Sequence, residues 1–230
     1  MVYSGARIAV IVPAYNEERL IQKTLASVPA EVDAIYVVDD ASQDATWSRL
    51  GEVSDPRVRR IRHCTNRGVG AAIVTGYYHA LRGDADALVV MAGDAQMDPN
   101  DLPALLTRAL QGDASYVKGN RFAHSQYRQM PRLRRWAGRG LALFTRLCSG
   151  LTVHDTQCGY TALTARCAEA LPLDLVWPRY GYPNDLLLLL AREGHRVAEV
   201  PVRPVYGPGW RSGIMVGGSA SRRHSGSSGD

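Results

Sequence analysis

The sequence predicts an α/β fold of one domain, with a Rossmann-like, mostly parallel central sheet flanked by helices. Short apolar, β-branched runs alternate with stretches of helical spacing, the pattern of strand-helix-strand units. Each of the first four runs ends in small, polar and acidic residues before a helix begins, and ligands of parallel sheets sit beyond such strand ends. The 230 residues suffice to bury one full core. Residues 1–216 form the expected domain, and residues 217–230, rich in Ser, Gly and Arg, a tail expected to be disordered.

Arg7 to Val12 reads as the first strand, ending at Pro13-Ala14-Tyr15-Asn16-Glu17-Glu18. Leu20, Ile21, Leu25 and Val28 follow at helical spacing, with Asn16 either a helix cap or a ligand contact. The second strand, Ala34 to Val38, stops at Asp39-Asp40-Ala41-Ser42-Gln43-Asp44. Adjacent carboxylates repel unless a cation, a ribose or backbone donors compensate them, so the pair is read as functional. Ser42 or Asp44 can cap the helix that runs through Leu50. A third strand, Val58 to Arg62, leads to Asn66-Arg67-Gly68-Val69-Gly70 and a helix to Leu81. Glycines there let backbone approach a ligand, although the pattern is neither a Walker loop nor a dinucleotide fingerprint. The fourth strand, Ala85 to Met91, delivers Asp94 and Gln96 to the sheet rim, two residues apart and therefore on one side. Hard oxygens so placed suit Mg2+ or Mn2+ shared with substrate phosphates. From Asp98-Pro99 a helix runs to Leu110.

The alternation continues with strands at Ala114 to Val117 and Arg196 to Val202, and with an apolar helix opened by Tyr180 to Leu186. Between them a helix from Leu133 sets Leu141, Leu143, Phe144 and Leu147 among Arg128, Arg132, Arg134, Arg135, Arg139 and Arg146. It is either a solvated face over a buried stripe or an amphipathic helix lying on a membrane. The net charge of +5 comes largely from such arginine clusters, which suit anionic ligands or an anionic lipid surface. Nucleic acid is excluded as the expected partner, because aromatics are not interleaved with the basic residues. No apolar run approaches the roughly 20 residues of a membrane span, and no signal peptide is evident. Cys64, Cys148, Cys158 and Cys167 show no CxxC pairing and read as reduced thiols. The expected location is the cytoplasm, with peripheral contact at the inner face of the membrane.

Four strand ends thus offer Pro13-Ala14-Tyr15-Asn16-Glu17, Val38-Asp39-Asp40-Ala41-Ser42-Gln43-Asp44-Ala45-Thr46, Asn66-Arg67-Gly68-Val69-Gly70 and Gly93-Asp94-Ala95-Gln96-Met97-Asp98-Pro99. In order and spacing the set resembles inverting family 2 glycosyltransferases with the GT-A fold. The dolichol-phosphate mannosyltransferase and polyprenyl-phosphate glycosyltransferase branch is the nearest likeness, from about Arg7 to Gly213. The resemblance implies transfer of a sugar from a UDP- or GDP-linked nucleotide-diphosphate sugar to a polyprenyl phosphate, assisted by Mg2+ or Mn2+. It implies that Pro13, Tyr15, Glu17 and Asp39 line the base and ribose pocket, and that Asp94 and Gln96 hold the metal against the donor diphosphate. It also implies that Arg121 and Arg134 meet the acceptor, and that Arg211 and Ser212 belong to a loop closing over the donor phosphates. The implied catalytic set is Asp94, Asp185, Arg121 and Arg211, with Asp185 at the family's acidic position before the apolar helix.

Two positions depart from the family pattern. Ala92 stands where Asp-x-Asp-x-Gln has its first carboxylate, which weakens metal binding, and Gly138 stands where several members carry serine. Asp155, in Asp155-Thr156-Gln157-Cys158-Gly159-Tyr160, matches a segment beside the sugar site or else bonds loop amides. Two alternatives stand beside the main expectation: the same donor chemistry with a soluble hydroxyl acceptor, and a non-catalytic nucleotide-sugar-binding domain, which Ala92 favours.

Overall fold

A computed structural model describes residues 5–112 and 114–205. Strands β1 (Ile8–Ala14), β2 (Ala34–Asp39), β3 (Val58–Arg62), β4 (Ala87–Val90), β5 (Tyr116–Asn120), β6 (Thr161–Thr164) and β7 (Val197–Pro201) form one sheet, in the order β3-β2-β1-β4-β6-β5-β7. Every residue of β1 and β4 is buried, as expected for central strands covered on both faces. Along β1 the side chains alternate: Ile8, Val10, Val12 and Ala14 enter one half of the core, Ala9 and Ile11 the other. Helices α1 (Ile21–Ser27), α2 (Thr46–Gly51) and α4 (Leu102–Leu110) cover the first half. Helices α3 (Val69–Arg82), α6 (Ala165–Ala170) and α7 (Tyr182–Arg192) cover the second, and α5 (Arg132–Ser149) packs outside α7.

Strand direction places the site. β1 runs parallel to β2 and β4, β2 to β3, and β5 to β7. β6 is antiparallel to both β4 and β5. Inserting one reversed strand returns β5 and β7 to the direction of β4, so six strands end at the same edge. Thr161 opens β6 opposite Val90 and Lys118, near the ends of β4 and β5, which brings the preceding Asp155–Tyr160 segment to that edge as well. The mostly parallel sheet expected from the sequence is present. Neither β6, four residues long, nor α6, six residues long and capped by Thr164 Oγ1 accepting from the Cys167 amide, is announced by the periodicity.

Candidate active site

The loops after β1 and β2 are laced together through side chains. The Asn16 amide donates to Ser42 Oγ (2.9 Å), the Glu17 amide to Thr46 Oγ1 (2.7 Å) and the Glu18 amide to Asp44 Oδ2 (3.2 Å). In return the Gln43 amide donates to Asn16 Oδ1 (2.9 Å) and the Ala45 amide to Glu18 Oε2 (3.0 Å). Asn16 and Ser42 therefore tie loops to each other, and α1 begins at Ile21 without a side-chain cap. Asn16 (φ 57°), Ala41 (φ 59°) and, in the loop after β4, Ala95 (φ 54°) all adopt left-handed backbone. Each such non-glycine conformation costs on the order of 1 kcal/mol or more, and it persists where the surroundings over-determine it, as at binding sites.

The two adjacent carboxylates do different work. Asp40 Oδ1 lies 2.7 Å from His63 Nδ1 and accepts from the Arg67 amide (2.8 Å), while Oδ2 accepts from the Gly68 amide (2.7 Å). Asp40 thus shapes the turn between β3 and α3, and these donors, not a ligand, offset its charge. Asp39 is fully buried at the end of β2, where Oδ1 accepts from the Ser42 amide (3.2 Å). Its Oδ2 lies 2.9 Å from Arg62 Nε, an ion pair whose N–H is not aimed at the oxygen, so this buried acceptor has no aligned donor. An acceptor in that state calls for a partner.

The glycine turn serves the chain itself. Gly68 has φ 100°, and a Cβ on Gly70 would overlap the Trp177 carbonyl and stand 2.8 Å from Tyr182 Cβ. The Ala71 amide donates to the Pro178 carbonyl (3.0 Å). The expectation that these glycines admit a ligand is corrected: the backbone approaching them belongs to residues 177–179.

Beyond β4, the Thr24 hydroxyl donates to the Gly93 carbonyl (3.0 Å) and accepts from the Ala95 amide (3.0 Å), so α1 holds the turn that presents Asp94. Asp94 Oδ1 accepts from the Gln96 amide (3.1 Å), and the Pro13 carbonyl accepts from the Gly93 amide (3.3 Å). The Glu17 carboxyl is pushed up to about 7, first by burial, then by the charges of Asp94 and Asp44. Asp44 is held below the usual carboxylate range: burial raises it, but donation from Thr46 and from the Glu18 amide outweighs that. The charge of Asp94 thus adds to burial in holding the Glu17 proton, and a divalent cation beside Asp94 would offset that charge. The hard oxygens of Glu17, Asp94 and Gln96 fit Mg2+ or Mn2+. Among the described residues no group of three or more His, Cys, Asp or Glu could hold a metal, so a cation here needs further oxygens from a ligand.

On the other side of the edge, Asp155 is buried and grips Arg121: Oδ2 accepts from the Arg121 amide (3.0 Å) and Nε (2.7 Å), Oδ1 from Nη2 (2.9 Å). Burial alone would raise the Asp155 pKa, but the hydrogen bonds and charge of Arg121 hold it below the usual range. Glu199 braces this segment from β7, accepting from the His154 and Asp155 amides (both 2.9 Å) and from Asn120 Nδ2 (2.9 Å). Lys118, fully buried, donates to the Cys158 carbonyl, and burial pushes its pKa down.

Pro13, Tyr15, Glu17, Asp39, Asp94 and Gln96 thus share the strand ends of β1, β2 and β4, with Arg121 at the end of β5. Asp185 is turned to other work: its Oδ2 accepts from the Trp177 amide (2.6 Å), and it lines a small groove with Leu175, Leu188, Leu189 and Arg192. Its neighbour Asn184 is the one that meets the Asp155–Tyr160 segment, through Gln157 Nε2 (3.3 Å). Arg134 lies in the first turn of α5, one turn before Gly138, whose backbone abuts Phe122. The side chain of Arg134, and all of Arg211, Ser212 and the tail at 217–230, lie outside the described residues.

Sequence reasoning missed Arg203. Its amide donates to Asp101 Oδ2 (2.7 Å), its Nε to Gln126 Oε1 (3.1 Å), and its Nη1 lies 3.3 Å from Asp98 Oδ2. One residue after β7 therefore clasps the segment after β4 to the segment between β5 and α5. Partners so far apart in sequence leave no local signal. Glu199 was equally silent, although its place within a short β-branched strand marks an acid in need of donors.

The sequence profile of glycosyl transferase family 2 matches residues 9–169. An undecaprenyl-phosphate mannosyltransferase of Micrococcus luteus is 32% identical over 222 residues, covering 92% of this chain and 90% of the relative. A UDP-N-acetylglucosamine-dolichyl-phosphate N-acetylglucosaminyltransferase of Methanococcus voltae is 28% identical over 215 residues, 86% of each chain. In three dimensions the chain resembles glucosyl-3-phosphoglycerate synthase from Mycobacterium tuberculosis in complex with UDP, with a TM-score of 0.67 at 22% identity, over 90% of this chain and 74% of that one. The same synthase with Mn2+, UDP and phosphoglyceric acid gives a TM-score of 0.66 at 21% identity, over 90% and 73%. At that identity the likeness speaks for the fold.

Proposed function

This chain belongs to glycosyl transferase family 2, with the GT-A fold, and from that premise we propose that it transfers a sugar, with inversion, from a UDP- or GDP-linked sugar to a polyprenyl phosphate. The observation that carries the proposal is the convergence of the laced β1 and β2 loops with the β4 turn, which gathers Glu17, Asp39 and Asp94 at one sheet edge.

Pro13, Tyr15, Glu17 and Asp39 seat the nucleoside, Asp39 at the buried end of β2 beside Arg62. Asp94 and Gln96 would hold Mg2+ or Mn2+, which when bound would offset charge on the donor diphosphate. Arg121, fixed in one orientation by Asp155, orients the acceptor phosphate; the family likeness adds Arg134 to the acceptor side and assigns Arg211 and Ser212 to the diphosphate. The acceptor phosphate oxygen attacks the anomeric carbon, and the bond from that carbon to the diphosphate oxygen breaks with its electrons leaving on the diphosphate. The protein's part is positioning and charge compensation.

Asp185 bears on the choice of acceptor. A hydroxyl acceptor needs a base to take its proton, and the carboxylate at this position instead receives the Trp177 amide. A phosphate monoester is already anionic near neutral pH and needs none, which supports polyprenyl phosphate over a saccharide hydroxyl; in the transfer Asp185 acts through the Trp177 segment it holds. Such an acceptor is met from the cytoplasm at the inner face of a membrane. The decisive experiment incubates the chain with Mn2+ and a panel of UDP- and GDP-sugars against a short-chain polyprenyl phosphate in detergent, read by mass spectrometry. The expected product is a polyprenyl monophosphate sugar; transfer to soluble saccharides only, or no transfer from any donor, would overturn the proposal.

A further inference from the structure

One strand residue holds both supports of Arg121. Glu199 lies within β7 with its side chain 9% exposed, opposite Lys118 in the register of β5 and β7. Its Oε1 accepts from the His154 and Asp155 amides (both 2.9 Å), while Oε2 accepts from Asn120 Nδ2 (2.9 Å) and lies 2.9 Å from His154 Nδ1. A carboxylate only accepts, so the His154 ring carries a proton on Nδ1. With two donors on each oxygen the Glu199 carboxylate is saturated, which leaves it no role in binding substrate or moving a proton.

The donors come from two segments that meet at Arg121. Asn120 ends β5, and its Oδ1 accepts from the Phe122 and Ala123 amides (3.0 and 3.1 Å), which shapes the turn that carries Arg121. Asp155 follows His154 and receives both the amide and the guanidinium of Arg121. Further along that segment the buried Lys118 donates to the Cys158 carbonyl. Glu199 therefore fixes the backbone on which Asp155 stands and the side chain that shapes the Arg121 turn, and it does so from a strand. An apolar residue at 199 would serve the pairing of β5 and β7 equally well, and a buried carboxylate costs desolvation that its donors must offset. What the carboxylate adds is direction, and a guanidinium that positions a reacting group must be aimed closely.

We propose that Glu199 is a positioning residue for the acceptor phosphate, acting through Asp155 and Asn120 to aim the Arg121 guanidinium. The proposal rests on the reading above that Arg121 meets that phosphate. Glu199 itself touches neither donor nor acceptor, and its loss turns Arg121 without removing the charge. Transfer then suffers on the acceptor side, while the nucleotide side, built on β1, β2 and β4, stays as it was.

The test is Glu199→Gln in the full chain, with steady-state transfer from a nucleotide sugar to a short-chain polyprenyl phosphate. Gln keeps an oxygen for the His154 and Asp155 amides but turns an NH2 toward Asn120 Nδ2 and His154 Nδ1, donor against donor. kcat/KM for the acceptor should fall about tenfold, with donor KM within about twofold of wild type. A lower kcat with both KM values unchanged marks a loss of folded enzyme and would overturn the proposal. Adding Glu199→Gln to Arg121→Gln should change acceptor kcat/KM by less than about twofold, because the two act as one unit, whereas additive losses would contradict action through Arg121. Asn120→Ala, which removes one of the two supports, should reproduce the acceptor-selective loss and takes the place of Glu199→Gln should that variant fail to fold. Nuclear magnetic resonance gives a readout independent of turnover: the Arg121 Nε–H, held by Asp155, should exchange with solvent about tenfold faster in either variant. A wild type that transfers to no polyprenyl phosphate would defeat the transfer proposal, and the exchange rate would still decide the role of Glu199, an unchanged rate overturning it.

Discussion

Replacing Asp155 tests whether a buried carboxylate built into the scaffold fixes the acceptor-side arginine. Asp155 and the Arg121 side chain are 2% and 18% exposed, and three donors from Arg121 converge on the two carboxylate oxygens. Removing one member of a buried ion pair typically costs about 3–5 kcal/mol, and the residual exposure of Arg121 places the loss near about 3 kcal/mol. For a domain of this size that corresponds to a melting temperature lower by about 6–12 °C. Asp155→Asn keeps an acceptor for one donor and should fall by about half as much. The sign with pH follows from the depressed Asp155 pKa: its stabilisation is present above the unfolded carboxylate value near 3.8 and disappears as pH falls through the lower folded value. The gap between wild type and Asp155→Ala should therefore close in acid. Calorimetric or circular-dichroism melts at pH 7 and in a series down to pH 3 read both effects. An Asp155→Ala protein that melts within about 2 °C of wild type at pH 7 would refute the assigned role, since a gap that small amounts to at most about 1 kcal/mol.

Other perturbations bear on the remaining parts of the site. Glu17 has its folded pKa raised to about 7 from 4.5, so the folded state keeps a proton that the unfolded chain has released, and stability falls as pH rises across that window. Glu17→Gln should accordingly melt higher than wild type at pH 8, with the two curves converging toward pH 4.5; a constant offset would point to packing instead. Gly70→Ala drives a methyl into the Trp177 carbonyl and Tyr182, and should cost about 1–3 kcal/mol in urea titrations, more than Gly140→Ala, whose surroundings are open and whose backbone is helical. Arg203→Ala releases Asp98, Asp101 and Gln126 together; KM for donor and acceptor should both rise by about tenfold, as loss of outer support around a site commonly does, and a change in one alone would contradict the clasp.

Much of the sheet can be read from the chain because central parallel strands are buried on both faces and so spell out continuous apolar runs, as β1 and β4 do. β6 escapes such reading: four residues, Thr161 to Thr164, carry too little pattern, and only its pairing with β4 and β5 makes it a strand. At the site, the strand-end carboxylates are legible, but their division of labour is not. Asp39 and Asp40 are equivalent in sequence and differ only because His63, Arg67 and Gly68, contributed by the next strand and turn, converge on one of them. The glycines at 68 and 70 signal close approach correctly, yet whether a phosphate or residues 177–179 approach depends on contacts a hundred residues apart. The partner of Asp185 is hidden for a similar reason: α7 points adjacent side chains about 100° apart, and tertiary packing sets Asn184 against Gln157 and Asp185 against the Trp177 amide.

The most direct measurement is calorimetric titration of UDP and GDP into the wild-type chain and into Asp94→Asn and Asp39→Asn, with and without Mn2+. If the loops after β1, β2 and β4 form one nucleotide-diphosphate site, one nucleotide binds wild type with an affinity that Mn2+ strengthens. Asp94→Asn then loses the Mn2+ enhancement, and Asp39→Asn weakens binding whether or not the metal is present. Identical isotherms for all three proteins, or no binding of either nucleotide to wild type, would contradict the existence of that site.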